Sequence, residues 1–157
     1  MIRTLMNKLR RMDFGFTLIE ILVVLGIIAI LATIVLIAIN PARQFRQAHD
    51  TQRVSNINAI LNAIGQNLAD NKGVVPAEIT TSVQHISNIG ADLCSVLVPT
   101  YIPALPVDPN VASGAIKSPC PATYDTNYKV VKDSAGRVTV SADGEEPVGV
   151  DNISVQR

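Results

Sequence analysis

The chain has 157 residues, of which 48% are hydrophobic, 17% charged and only 4% aromatic, with no Trp. Its formal net charge is zero, from 13 basic and 13 acidic residues. That balance excludes a polybasic nucleic-acid binder and an acidic disordered tail, and the aromatic deficit excludes a large aromatic core. The length suits one domain with an appendage.

The neutrality is a sum of opposed blocks. Residues 1–15 carry Arg3, Lys8, Arg10 and Arg11 against Asp13, whereas residues 16–39 carry one charge, Glu20. Residues 40–72 carry Arg43, Arg46, Arg53 and Lys72 against Asp50 and Asp70. Residues 73–157 hold five basic and nine acidic side chains.

The aliphatic excess lies between these blocks. From Ile21 to Ile39 the only residues that are not strongly apolar are Gly26, Ala29, Ala32, Thr33 and Ala38. As a helix, residues 16–39 reach about 36 Å at 1.5 Å per residue, enough for a hydrocarbon core of roughly 30 Å. A run this long without a polar face is expected to enter a membrane. A secretory signal peptide fits poorly, because the run is too long and ends at Ile39-Asn40-Pro41-Ala42, a poor cleavage site. A simple anchor explains the length but leaves Glu20 unexplained, since a carboxylate inside a span costs on the order of 3 kcal/mol. Basic residues on both sides make the orientation lean only weakly towards a cytoplasmic N-terminus.

Directly before the apolar run stands Phe14-Gly15-Phe16-Thr17-Leu18-Ile19-Glu20. A short basic leader, a Gly, an aromatic and a Glu five positions beyond the Gly together resemble the processing motif of type IV prepilins and type II secretion pseudopilins. The resemblance implies cleavage between Gly15 and Phe16 by a membrane prepilin peptidase, which also N-methylates the Phe16 amine. Gly15 would be demanded by a peptidase pocket that admits no side chain. Arg10 and Arg11 would hold the cut site at the cytoplasmic face. It also implies that Phe16 and Glu20 act in assembly, the new amine of one subunit meeting the Glu of a neighbour. Within one helix the two would also be i,i+4 neighbours, with Glu20 near the positive end of the helix dipole. Gly26, Ala29 and Thr33 share one side and suit close helix approach.

The resemblance carries an α+β expectation: a long N-terminal helix, transmembrane in its first half and amphipathic in its second, packed on a small antiparallel sheet. The expected parts are a cleaved leader over residues 1–15, a membrane and filament-core helix over 16–39, an amphipathic helix over 40–72 and a β head over 73–157. Pro41 is expected to kink or locally unwind the helix. Beyond it, Phe45, Ala48, Val54, Ile57, Leu61, Ile64 and Leu68 recur at steps of mostly three and four, with Gly73 as the stop. Arg43, Arg46, Asp50 and Arg53 share another side, which reads as a solvated, paired face or as a contact for lipid head groups or an acidic neighbour.

In the head, residues 101–109 read as an extended, turn-rich loop. Its Leu105-Pro106-Val107-Asp108-Pro109 resembles a segment common in pseudopilins and some pilins. Residues 128–131 and 137–142 read as strands about an Asp133-Ser134-Ala135-Gly136 turn, with a third near 148–155. A head outside the cytoplasm would oxidise Cys94 and Cys120 to a disulfide, two free thiols being the alternative. His49 and His85 lack partners at metal-ligand spacing. No cofactor is expected. Major pseudopilins bind calcium in a head loop, and Asp125, Asp133 and Asp143 could supply oxygens for calcium here, although the sequence shows no matching ligand loop.

The chain thus reads as a structural filament subunit, not an enzyme, stored in the bacterial inner membrane and then exported into a pilus or pseudopilus. Its expected partners are the prepilin peptidase/methyltransferase, its own copies, other pilins or pseudopilins, the assembly platform and the membrane. Nucleic acid is not indicated. A secretion pseudopilin is the near alternative. An uncleaved, membrane-tethered extracytoplasmic binding domain is the distant one.

Overall fold

The computed structural model describes residues 15–145 and 153–157. The chain divides into two compact units, one up to Pro41 and one from Ala42 onward.

The first unit is helix α1, Leu18–Ile39. It buries none of its residues, so its aliphatic side chains lie open on every side. Thr33 turns its hydroxyl back to the Ala29 carbonyl at 2.9 Å and satisfies itself locally. The expected membrane and filament-core segment began at Phe16; the helix starts two residues later because Thr17 caps it.

Asn40 separates α1 from helix α2, Pro41–Asp70, and adopts a left-handed φ of 47°. Asn tolerates this region better than most residues. Pro41 therefore sits at the first position of a new helix rather than inside an old one. There its missing N–H costs nothing. The break is local, as expected, but it is made at Asn40, with no proline-strained turn.

α2 ends at Asp70, and its final carbonyls are closed by Gly73 N–H donating to Leu68 O at 2.7 Å. The left-handed turn this needs falls on Lys72 (φ 56°) and Gly73 (φ 83°). The buried face of α2 is Arg53, Ile57, Ile60, Leu61, Ala63, Ile64 and Asn67. This corrects the expected stripe. Ile57, Leu61 and Ile64 are on it and Leu68 packs at its margin, but Phe45, Ala48 and Val54 are exposed. The first three turns of α2 bury nothing, so periodicity there has no core to report.

The second unit is completed by strand β1 (Gln84–Ser87), a short helix α3 (Leu93–Leu97), strands β2 (Ala104–Leu105) and β3 (Ile116–Lys117), and strands β4 (Asp125–Lys132), β5 (Val138–Ala142) and β6 (Ile153–Gln156). The main sheet is antiparallel in the order β1-β4-β5-β6, while β2 and β3 form a separate pair. The α+β architecture expected from the sequence is what the chain adopts. β4 extends beyond the expected 128–131, and β5 begins one residue later than expected. Of the third expected strand, residues 148–152 lie outside the described residues; β6 occupies its end. β1 and the β2–β3 pair were not foreseen, and β2 lies inside the stretch read as loop. These strands are short, and polar residues or prolines interrupt their alternation.

One core joins the elements. Thr126, Tyr128 and Val130 of β4 and Val138, Val140 and Ala142 of β5 alternate inward, as half-buried strands must. They share the core with Ile57, Ile60 and Ile64 of α2, and with Ile86, Leu93 and Leu97. Its aromatics are tyrosines; Phe16 and Phe45 are 77% and 69% exposed. The β4–β5 turn is built by Asp133, whose carboxylate accepts from Ala135 N–H, Arg137 N–H and Arg137 Nε at 2.7–2.9 Å. Gly136 supplies the positive φ of 82°.

Cys94 of α3 is bonded to Cys120, 26 positions on, with Cα atoms 6.0 Å apart. The loop it closes contains the β2–β3 pair. On the chain-entropy view, closing such a loop stabilises by roughly 3.5 kcal/mol. Replacing both residues with Ser should therefore lower the denaturant midpoint of the detergent-solubilised full chain by that free energy. An unchanged midpoint would show that the staple contributes nothing.

Candidate functional site

Two places in the chain carry chemistry. The first is the junction before α1. Gly15, Phe16 and Thr17 are exposed and lie outside the helix. A Cβ built on Gly15 meets nothing within 4 Å. Packing among the described residues therefore gives no reason for glycine at this position.

Thr17 is the N-cap of α1. Its hydroxyl accepts from the Glu20 N–H at 3.2 Å, and its carbonyl accepts from Glu20 and Ile21 N–H groups at 3.1 and 3.3 Å. Glu20 is thus the third residue of the helix, where the unsatisfied N–H groups make the positive end of the dipole. Phe16 precedes the cap. The helical i,i+4 relation expected between Phe16 and Glu20 does not exist in this state of the chain. The missed signal is Thr17-x-x-Glu20, the spacing of a capping box.

The second place is a buried ion cluster in the head. Arg53 is 2% exposed, which corrects the expectation of a solvated face for this residue. Its Nε and Nη2 donate to the two oxygens of Asp108 at 2.6 and 2.9 Å. Nη1 donates to Asp50 at 2.8 Å, and Nη2 also donates to Glu145 at 2.6 Å. Glu145 further accepts from Asn110 Nδ2 at 2.7 Å, while its own N–H donates to Asp50 at 2.9 Å. His49 Nδ1 lies 3.3 Å from Glu145. The cluster ties α2, the Leu105-to-Pro109 segment and the chain beyond β5 together.

The titration of the cluster follows from this geometry. The Asp108 bond raises the Arg53 guanidinium well above its ordinary value, against the opposing effect of burial. Burial by itself pushes the Asp108 carboxyl up; the bonds from Arg53 and the Asn110 N–H outweigh it and hold the group below the usual carboxylate range. Glu145 is lowered in the same way, burial opposing and the Arg53 and Asn110 bonds winning.

The other singled-out residues are dispersed. Asp125 faces His85 at 3.2 Å, Asp143 pairs with Lys129 at 2.8 Å, and Asp133 belongs to the β4–β5 turn. The structure does not bring these three together. Among the described residues no group of three or more His, Cys, Asp or Glu side chains is placed to hold a metal. Tyr124 donates to Asp92 at 2.6 Å and accepts from Cys94 N–H at 3.2 Å. Burial, then the Asp92 bond, raise its hydroxyl far above the usual tyrosine value.

Comparison with known proteins bears on the junction. The family model for the prokaryotic N-terminal methylation motif matches residues 10–36. The chain therefore carries the prepilin-type cleavage and methylation motif over these residues. Neither the curated proteins nor the solved structures provide a match.

Removing the guanidinium should expose how much the cluster holds. Arg53→Met leaves buried carboxylates unpaired and should cost about 3–5 kcal/mol of head stability. Arg53→Lys should recover little of it, because an ammonium cannot make the two-pronged bond to Asp108. The folded state holds Asp108 and Glu145 below their unfolded values. Their contribution is therefore fully present above a pH of about 4 and is lost as pH falls through the folded-state values. Denaturation of the full chain as a function of pH checks this: an acid slope equal in wild type and Arg53→Met would contradict it.

Proposed function

We propose that the chain is a structural subunit of a type IV pilus-like filament. The observation that carries this reading is the junction: a cleavage and methylation motif followed at once by a 22-residue apolar helix with no buried residue. One helix among the described residues is long and apolar enough to cross a membrane, and it is this one.

In this reading the subunit waits in the bacterial inner membrane with its N-terminus in the cytoplasm. A prepilin peptidase/methyltransferase cuts between Gly15 and Phe16 and methylates the Phe16 amine. Removal of residues 1–15 leaves 142. Gly15, Phe16 and Thr17 are exposed and outside the helix, which suits access by a peptidase, and the open space at Gly15 among the described residues fits a demand made by the enzyme. The α1 helices then leave lipid and bundle with one another, assisted by an assembly platform and by other pilins. Glu20 meets the Phe16 amine of a neighbour and sets the register. The role is structural, with no catalysis by this chain.

A pseudopilin of a type II secretion system is the second reading, favoured by the Leu105-Pro106-Val107-Asp108-Pro109 segment, whose Asp108 anchors the cluster. Filaments outside the cell support the pilus. A secretion defect on deletion, with no surface filament, supports the pseudopilus. An uncleaved tethered binding domain would keep its leader.

Mass spectrometry of the assembled protein should find a chain that begins at N-methylated Phe16. A chain beginning elsewhere sinks the proposal. Glu20→Ala should leave the membrane pool at its normal level and reduce assembled filament at least tenfold; normal filaments in that variant would remove Glu20 from the assembly step.

A further inference from the structure

An apolar span gains by lengthening its helix. The N–H groups that a helix start leaves without partners are costly in hydrocarbon, and extending the helix backward moves them out towards the head groups and water. Phe16 is apolar and stands two residues before the first helical residue, Leu18. It would be the natural place for α1 to grow, yet it lies outside the helix.

Two neighbours stand against that growth. Gly15, on one side, loses the most backbone freedom of any residue type when it enters a helix. Thr17, on the other, is held extended at φ −79° and ψ 149°, which no helical residue adopts. Its hydroxyl accepts from the Glu20 N–H at 3.2 Å, and its carbonyl accepts from the Glu20 and Ile21 N–H groups. The cap thus satisfies the groups that would otherwise draw the helix backward. While Thr17 is extended, Phe16 cannot join α1.

The consequence falls on the bond between Gly15 and Phe16. A peptidase binds the backbone N–H and C=O groups of its substrate, and a helix already spends those groups on itself. Here Phe16 is 77% exposed and nothing lies within 4 Å of a Cβ built on Gly15. When a segment exchanges between an open and a closed form, its apparent affinity for whatever binds the open form falls with the open fraction. The residue that sets the helix start therefore sets how much of the chain a peptidase can bind.

We infer that Thr17 is a positioning residue for processing: its cap holds the start of α1 at Leu18 and keeps the Gly15–Phe16 peptide outside the helix. The inference rests on the processing reading above and adds a conformational requirement to it. In the cut, water adds across the bond between the Gly15 carbonyl carbon and the Phe16 nitrogen, leaving a Gly15 carboxylate and a Phe16 amine. Thr17 takes no part in that exchange. It acts before it, through the shape of the substrate backbone.

Two substitutions separate the cap from the side chain's shape. Thr17→Val keeps the shape and removes the acceptor, whereas Thr17→Asn changes the shape and keeps an acceptor suited to capping. Full-length precursor in membrane vesicles is incubated with a purified bacterial prepilin peptidase, and cleavage after Gly15 is followed by mass spectrometry. The Val variant should show a KM raised about fivefold with kcat unchanged, the factor expected from loss of one cap. The Asn variant should be cut like the unmodified chain. A Val variant with unchanged KM overturns the inference. Slow cleavage of the Asn variant also overturns it, because the enzyme would then be reading threonine itself, and so does a defect confined to kcat. These three results leave the processing reading intact. An unmodified chain that is not cut after Gly15 overturns both.

Discussion

The constraint on which the molecule turns is that α1 has 22 residues, nearly all apolar, and none of them is buried among the described residues. At about 25 cal/mol per Å² of apolar surface, such a helix cannot stay in water. It needs a partner that presents apolar surface along its whole length. Lipid meets that need without specificity. Other copies of α1 meet it as well, and hydrocarbon and neighbouring helices are nearly equivalent solvents for Leu and Ile. In the filament reading, transfer from lipid to a bundle would therefore be driven by something other than hydrophobicity: close approach at small residues and satisfaction of polar groups. Gly26 offers the first, with nothing within 4 Å of its missing Cβ. In the filament reading, Glu20 is the group that would offer the second. Thr33 offers neither, since its hydroxyl is already bonded within the helix.

The head solves the opposite problem. It has few aromatic side chains, and its core is built mostly from aliphatic ones. Arg53 supplies directional constraints in place of bulk. Its bonds reach α2, the segment around Asp108 and the chain at Glu145. A guanidinium has a fixed fork, so these three segments meet in one arrangement. The Cys94–Cys120 bond acts on a neighbouring part of the same head, closing the loop that holds β2 and β3. The fold thus pairs a small aliphatic core with one buried polar network and one covalent link.

How far the sequence could be read follows from these same contrasts. α1 was legible because nineteen residues without a charge have one physical meaning. The hairpin was legible because Asp133 to Gly136 sets a turn between two alternating strands. Arg53 was not legible. On a helical projection it sits beside Arg46 and Asp50, and its partners Asp108 and Glu145 are 55 and 92 positions away. No local pattern marks an arginine whose carboxylates arrive from distant loops. Phe45 and Val54 misled for the converse reason: they fit an apolar spacing of three and four along α2, yet both side chains are exposed. Thr17 was legible in principle, since Thr-x-x-Glu before an apolar run is a helix start, but the stronger reading of Glu20 hid it.

The charge arithmetic gains meaning when these placements are combined. Leader removal would take away four basic residues and one acidic one, leaving nine and twelve. The shortened chain would be acidic, and of its basic residues Arg53 is buried against carboxylates of its own head. Copies crowded into a filament would then repel through their heads unless basic surface meets acidic surface between molecules. Arg43 and Arg46 lie before the core-bearing part of α2, whereas Asp70 and Glu78 lie beyond it. Separating opposite charges by the length of one helix stabilises that helix poorly.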